Sequence, residues 1–135
     1  MDLSKYKKRV ATKKAYRKFR REKYEESLVL YNNILETYPE HTNAWFGKAL
    51  VLEAMGKLED ALKFYDKTLE QDPKYFGAWY NRGNTLIKLE RFSEALKSYD
   101  AALKLDPEHF GAWYNRGNTL IKLERFSEAL DSYDE

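Results

Sequence analysis

Few residues of this chain could perform acid–base or metal chemistry, and they are widely spaced. The two histidines, His41 and His109, stand 68 residues apart, and neither belongs to an H-E-x-x-H pair. Glu59 and Asp60 adjoin the predicted start of a helix, where carboxylates ordinarily offset the helix dipole. The absence of cysteine excludes thiol nucleophiles and cysteine-built zinc sites, and no Gly-rich phosphate loop occurs. We therefore predict no enzymatic activity, no metal site and no cofactor.

Other polar side chains are suited to binding. Tyrosine, asparagine and lysine residues recur at helical spacing in two copies that are 34 residues apart. An asparagine amide donates and accepts hydrogen bonds together, which suits the backbone of an extended peptide. Tyrosine supplies rigid apolar area with a polar tip, and lysine favours a carboxylate-bearing ligand. The predicted peptide-binding residues are Tyr80, Asn81, Asn84, Lys88, Tyr114, Asn115, Asn118 and Lys122.

These copies belong to a longer periodicity. Four residue types recur every 34 residues: Trp45, Trp79 and Trp113; Pro39, Pro73 and Pro107; Ala61, Ala95 and Ala129; and Tyr31, Tyr65, Tyr99 and Tyr133. Chance does not produce four interleaved ladders at one spacing, so the chain is a repeat protein. Residues 76–100 and 110–134 agree at 24 of 25 positions, which suits either recent duplication or deliberate copying.

Each period predicts two helices. An apolar stripe at helical spacing runs through residues 79–86, and a second runs through residues 92–103. The link around Glu90 is so short that the two helices must lie antiparallel. Pro107 ends the second helix, because proline pushes the preceding residue out of the α region and has no amide to donate. Small residues let the paired helices approach closely, and they stand at Ala49, Gly83 and Gly117.

With these features the chain resembles the tetratricopeptide repeat (TPR) family, whose signature is W-x₂-L-G-x₂-Y…A-x₃-F…P over 34 residues. One unit matches it with Trp79, Gly83, Leu86, Ala95, Tyr99 and Pro107. The resemblance covers residues 42–135 closely and residues 8–41 loosely. It departs where the family has leucine before the glycine, since Lys48, Arg82 and Arg116 stand there. We expect their stems to cover apolar surface while their charges reach water.

The resemblance implies an all-α fold, a right-handed solenoid of antiparallel helix pairs with about four 34-residue units, the last of them incomplete. The predicted divisions are a basic N-terminal segment with a degenerate first repeat, two complete repeats and an incomplete one, at residues 1–41, 42–75, 76–109 and 110–135. In TPR proteins the first helix of each pair lines a concave face, which implies a protein or peptide partner for the residues predicted above. The family's carboxylate clamp is incomplete here, because Tyr80 and Tyr114 stand where the clamp requires lysine.

The N-terminal segment is strongly basic. Residues 1–23 hold 11 of the 24 lysines and arginines and only two acidic residues, whereas residues 24–135 carry a balance of −7. One interpretation is contact with phosphates of a nucleic acid or an anionic membrane, or a nuclear-import signal. The other is a first repeat helix with solvated charges and an apolar stripe of Tyr6, Val10, Ala15 and Phe19. We favour the second, because the stripe follows the 34-residue frame and no base-stacking platform is evident.

The ends of the chain lead to two further expectations. No apolar run approaches the ~18–20 residues that a membrane span requires, and the N-terminus lacks an apolar signal region, so we expect a cytoplasmic protein. The last unit stops eight residues short, so we expect Trp113, Leu120 and Tyr133 to face outward. A homodimer through this C-terminal face would cover them. The alternative is a truncated or engineered repeat protein with no specific ligand.

Overall fold

The computed structural model of the protein describes residues 3–123 and 131–133. Seven α-helices occupy the first of these ranges: α1 (Leu3–Arg20), α2 (Tyr24–Thr37), α3 (Thr42–Ala54), α4 (Leu58–Gln71), α5 (Phe76–Lys88), α6 (Phe92–Leu105) and α7 (Phe110–Lys122). Residues 131–133 are also helical, and no strand occurs in either range. The predicted all-α class is therefore confirmed. The repeat position at Ala129 lies outside the described residues.

The chain divides into two compact units, Met1–Pro73 and Lys74–Glu135. In the first unit, α1 pairs with α2, and α3 pairs with α4. The hydroxyl of Ser27 near the start of α2 donates to the carbonyl of Ala15 toward the end of α1, at 2.8 Å. Thr42 at the start of α3 likewise bonds Gln71 at the end of α4. These contacts make both pairs antiparallel, as the short links predict.

In the second unit, α5 pairs with α6, and α7 packs against α6. The ring of Tyr99 on α6 is almost completely buried against α5. A Cβ atom built on Gly83 would lie 2.6 Å from Cε1 of Tyr99, so only glycine fits without movement of the ring. The same relation joins Gly117 to Tyr133. Contact between a tyrosine and a bare backbone therefore sets the separation of these helices.

The turns between paired helices share a left-handed residue. Glu22 and Glu90 both have φ of 59°, and Gly56, at the same repeat position, has φ of 78°. The amide after each left-handed residue donates to a carbonyl of the preceding turn, as from Arg91 to Leu86 at 2.9 Å. This is a Schellman motif, in which glycine is the preferred residue. Two of the three turns within residues 3–123 therefore hold glutamate in a backbone conformation that its Cβ disfavours.

The tryptophans contact both the core and the turn before their own helix. Trp45 is half-buried, packs against the core cluster formed by α1, α2 and α3, and stacks on Phe64 with ring centroids 5.5 Å apart. Its Nε1 donates to the carbonyl of Pro39 at 2.8 Å. Trp113 donates to Pro107 at 2.6 Å in the same way. The indole thus fixes the turn before its helix, because only tryptophan among the apolar rings carries an N–H donor of this reach.

A ladder of alanines that the sequence analysis did not single out is fully buried. Its members, at the position before each tryptophan, are Ala44, Ala78 and Ala112. A residue without side-chain bulk there allows close helix contact. The 34-residue spacing of these alanines was available in the sequence as a signal of burial.

The guanidinium groups of the two arginines at the family's leucine position bond acceptors within the protein. The side chain of Arg116 is only 19% exposed, and its guanidinium donates to Asp100 at 2.6 Å and to the hydroxyl of Ser132. Arg82 donates to Ser98 at 2.6 Å. Our expectation was therefore wrong for both arginines, because hydroxyl and carboxylate acceptors on the facing helix satisfy the guanidinium within the protein.

Lys48, at the same position, lies over an aromatic ring instead. Its Nζ is 4.0 Å from the centroid of Phe64. Burial and the neighbouring charge of Lys63 lower the pKa of Lys48, while Asp60 opposes the shift. The three repeats therefore accommodate a basic residue at the leucine position in two ways, by hydrogen bonding and by cation–π contact.

The apolar stripe predicted on α1 is only partly correct. Ala15 is fully buried and Phe19 packs against the core of the first unit, but Tyr6 and Val10 are 65% and 46% exposed. Ala11 packs against the core in their place. The residues at positions 11, 15 and 19 follow i, i+4, i+8, so they share a helix face that Val10 does not.

The expectation for the last repeat was wrong for Leu120. This residue is fully buried and forms a core cluster with Leu96, against which Tyr133 packs. Trp113 and Tyr133 are half-buried. The large hydrophobic side chains that α7 does expose are Phe110, Tyr114 and Ile121.

We expect Glu90→Gly to stabilise the protein by about 0.5–1 kcal/mol, because glycine adopts positive φ without the Cβ penalty. Chemical denaturation followed by circular dichroism measures this change. Glu90→Ala is the matched control, since it removes the same carboxylate but keeps the Cβ atom. Equal stabilisation by both variants would show that charge, not backbone conformation, governs the effect.

Candidate functional site

Most of the predicted peptide-binding residues lie around one cavity in the second unit. This cavity, which we name the amide cleft, has a volume of about 280 Å³. It lies along α5 and α7 and is lined by Asn84, Ile87, Lys88, Tyr99, Asn115, Asn118, Thr119 and Lys122. Five of the eight predicted residues are in this set. The two helices present them together because equivalent positions on repeated helices point the same way.

The asparagines of the cleft are held by hydrogen bonds. Oδ1 of Asn84 accepts from the hydroxyl of Tyr99 at 2.6 Å and from Nδ2 of Asn115 at 3.0 Å. The same Nδ2 lies 3.3 Å from the hydroxyl of Tyr80. These bonds fix the orientation of both amides before any ligand arrives. They also give Asn84 and Asn115 a structural role, since they join α5 to α7.

Tyr99 was not among the predicted site residues. It belongs to the tyrosine ladder of the repeat, and the hydroxyl of this buried ring reaches the amide cleft. Tyr133 donates to Asn118 in the next copy. In the repeat before, Leu50 replaces the asparagine, and the hydroxyl of Tyr65 donates to Glu53 at 2.6 Å instead. The tyrosine and asparagine ladders, which are 15 residues apart in the last two repeats, were the available signal.

The remaining predicted residues differ in their placement. Lys88 and Lys122 are exposed at the rim of the cleft. Tyr80 joins the cleft through its bond to Asn115, while Tyr114 is 50% exposed and stacks on Phe110 outside the cleft lining. Asn81 donates to a backbone carbonyl of its own helix at 2.8 Å and does not line the cleft. The structure therefore does not bring Asn81 and Tyr114 into the cavity.

A larger cavity lies in the first unit, between α1 and the start of α3. This cavity, which we name the basic groove, has a volume of about 720 Å³. Five cationic side chains of α1 line it, together with Thr12, Tyr16, His41 and Asn43. The basic segment is evident in the sequence but the groove is not, because nothing in the segment indicates which residues of α3 face it.

His41 stands at the edge of the basic groove. Its Nε2 lies 2.9 Å from the hydroxyl of Thr12, and it occupies the position before α3. Burial lowers the pKa of His41, the positive charge of Lys8 lowers it further, and Glu40 opposes the shift. A neutral imidazole is therefore favoured in the folded protein.

His109 has a structural role. Its Nδ1 accepts from the amide of Ala112 at 3.0 Å, which caps α7. The ring packs against Phe76 and Tyr80 at centroid distances of 4.8 and 4.9 Å. Within residues 3–123 and 131–133, no three histidine, aspartate or glutamate side chains cluster as a metal site would require.

Comparison with protein-family models matches residues 12–76 and 80–135 to the tetratricopeptide repeat. The chain belongs to the tetratricopeptide repeat family. The match includes most of the first helix pair, which the signature residues alone indicate only weakly. Membership of the TPR family supports a role as a protein-interaction scaffold in general. No helix in the described ranges of this TPR protein is both long and apolar enough to cross a bilayer.

Solved structures of MamA have a similar fold. A crystal structure of MamA aligns with a TM-score of 0.87 and 16% identity over 94% of this TPR chain and 69% of the MamA chain. A MamA structure from Desulfovibrio magneticus RS-1 gives 0.84 and 24%, over 94% and 73%. The MamA RS-1 ArsTM double mutant gives 0.86 and 22%, over 93% and 71%. At these identities the similarity shows the fold alone. A search of curated proteins finds no significant match.

We expect the stability of the protein to fall as the pH drops below about 6.5, the ordinary pKa of histidine. The pKa of His41 is lowered in the folded state, so the unfolded state binds a proton more readily. Acid therefore stabilises the unfolded state relative to the folded one. The free energy of unfolding, measured between pH 7.5 and 5.5, checks this. In His41→Gln the dependence should be weaker. Identical slopes for the two proteins would contradict the assignment.

Proposed function

We propose that this TPR protein is a non-catalytic scaffold that binds an extended or helical peptide in the amide cleft. The observation that carries the proposal is the fixed orientation of Asn84 and Asn115 beside the exposed ammonium groups of Lys88 and Lys122. Ligand groups that match this arrangement are backbone amides and carboxylates, because amide groups pair with peptide units and lysine pairs with acids.

Preorganisation supports a binding role for the cleft. The tyrosine hydroxyl and the second asparagine hold the Asn84 amide, so a ligand does not have to pay for ordering this side chain. The cavity, with a volume of about 280 Å³, is large enough for a peptide side chain or a short backbone segment but too small for a large cofactor. These features agree with a module that recognises one part of a longer partner.

The alternative is a repeat protein without a specific ligand, which assigns the asparagines a purely structural role. In that case the asparagines would serve only the contact between α5 and α7, which they also make. The side chains of Lys88 and Lys122 are exposed at the rim of the cleft. Substitution of the lysines therefore separates a binding role from a purely structural one better than substitution of Asn84.

We expect Lys88→Ala/Lys122→Ala to weaken a peptide selected from a library by at least about tenfold, the range of a binding hot spot. Isothermal titration calorimetry of the full chain measures the affinity. Lys97→Ala/Lys104→Ala is the matched control, since it removes two exposed lysines of α6. It should bind like the unmodified protein.

Equal affinity of the rim variant and the unmodified protein for every selected peptide would contradict the amide cleft as the binding site. Libraries that give no ligand would favour the structural alternative.

Light scattering across a wide concentration range tests the predicted homodimer. A concentration-dependent dimer would support self-association through the C-terminal repeat, and a strict monomer would contradict it.

A further inference from the structure

The cations of the basic groove form a row along α1. Lys5, Arg9, Lys13 and Arg17 follow i, i+4, i+8 and i+12, so they share one face of the helix. All four are exposed, and Lys8 adds a fifth cation to the lining. Within the part of the chain that the structure describes, no carboxylate lines the groove. The row spans twelve residues, or about 18 Å at a rise of ~1.5 Å per residue.

This row opposes the stability of its own helix. Like charges at i and i+4 repel, and the first turn of α1 holds no acidic residue that would offset the dipole. Among the residues that the structure describes, none of the five groove cations forms an ion pair. The ion pair that α1 does make within these residues, Lys18 with Glu26 at 3.7 Å, lies outside the groove lining. An anionic occupant would remove the repulsion.

The opposite wall adds donors rather than negative charge. His41 and Asn43 stand at the start of α3, where the backbone amides give the helix end a partial positive charge. The Asn43 amide offers both donor and acceptor groups. Tyr16, which is 46% exposed, supplies an apolar surface beside them. The groove therefore combines a row of cations with groups that can bond a peptide backbone.

We propose that the basic groove binds a run of acidic residues within a partner polypeptide. This inference rests on the proposed scaffold function and gives the chemistry of a partner. A length of about 18 Å accepts five or so extended residues at ~3.3 Å each. The row pairs with carboxylates along the peptide, so a free C-terminus is not needed. A peptide fits better than a nucleic acid, because the described lining holds a single large aromatic ring, that of Tyr16, beside the smaller imidazole of His41, and nucleic acids stack on several rings.

The test is fluorescence anisotropy of a labelled, end-blocked hexaglutamate peptide with the full chain at low salt. Arg9→Glu/Lys13→Glu should weaken binding by at least about tenfold, because two attractive charges become repulsive. Lys7→Glu/Lys14→Glu is the matched control. It changes the net charge of the same helix equally, but neither residue lines the groove. The affinity of the control variant for hexaglutamate should fall by no more than about threefold, because only the long-range attraction is weakened.

The groove variant should remain folded, because two of the three repulsive i, i+4 pairs of the row become attractive and only the pair at positions 9 and 13 stays repulsive. Circular dichroism verifies this. Absence of hexaglutamate binding, or equal loss in the groove and control variants, would overturn the proposal. So would tighter binding of hexathymidylate than of hexaglutamate, lost in the groove variant, since that outcome assigns the groove to nucleic acid. A library peptide that still binds the groove variant through Lys88 and Lys122 would leave the scaffold function intact while this inference failed.

Discussion

The contact between a buried tyrosine and the facing helix governs both the fold and the candidate site. Tyr31, Tyr65 and Tyr99 are almost completely buried. Tyr99 lies on the bare backbone of Gly83, so the separation of α5 and α6 depends on the absence of a side chain. A buried ring must also satisfy its hydroxyl, and Tyr99 does so on Asn84. One side chain therefore sets the helix spacing and orients an amide of the cleft.

Because single side chains serve both the fold and the cleft, a binding role and a structural role are difficult to separate in this protein. Asn84 and Asn115 are joined to each other and to tyrosine hydroxyls, so they hold α5 against α7 while they line the cleft. Preorganised groups bind with a smaller entropic cost than mobile ones. In the proposed function, the exposed lysines at the rim of the amide cleft select among peptides by charge.

The two cavities differ in the groups that line them. The amide cleft holds asparagine amides oriented by hydrogen bonds, with two lysines at its rim. The basic groove holds a row of like charges, whose attraction for an anion acts at longer range and weakens as the ionic strength rises. Both lie along first helices of repeats, α5 and α7 in one unit and α1 and α3 in the other. Repetition of one helix pair thus yields different chemistry where its exposed positions differ.

Much of the fold followed from the sequence because the repeat aligned each position several times. The 34-residue spacing of proline and alanine placed the turns and the helix pairs. The left-handed turn was signalled by Gly56 alone, since glutamate at positions 22 and 90 carries no such signal. Alignment of those three positions would have revealed it.

The candidate site could be predicted only in part. The asparagines and lysines were predicted, because polar residues that recur at the same positions of two repeats are visible in the sequence. Tyr99 was not, since burial of its ring concealed the role of its hydroxyl. His41 and Asn43 were missed because a groove between two helices depends on packing that no local pattern encodes. The apolar face of α1 was misplaced by one residue at position 10, where valine is exposed and Ala11 packs.

The central claim is that oriented asparagine amides of the amide cleft contact a peptide. Heteronuclear NMR of the full chain with a selected peptide observes the side-chain amide groups directly. We predict that the signals of Asn84, Asn115 and Asn118 shift on binding, together with backbone amides of α5 and α7. Shifts confined to α6, with the three side-chain amides unchanged, would contradict the claim.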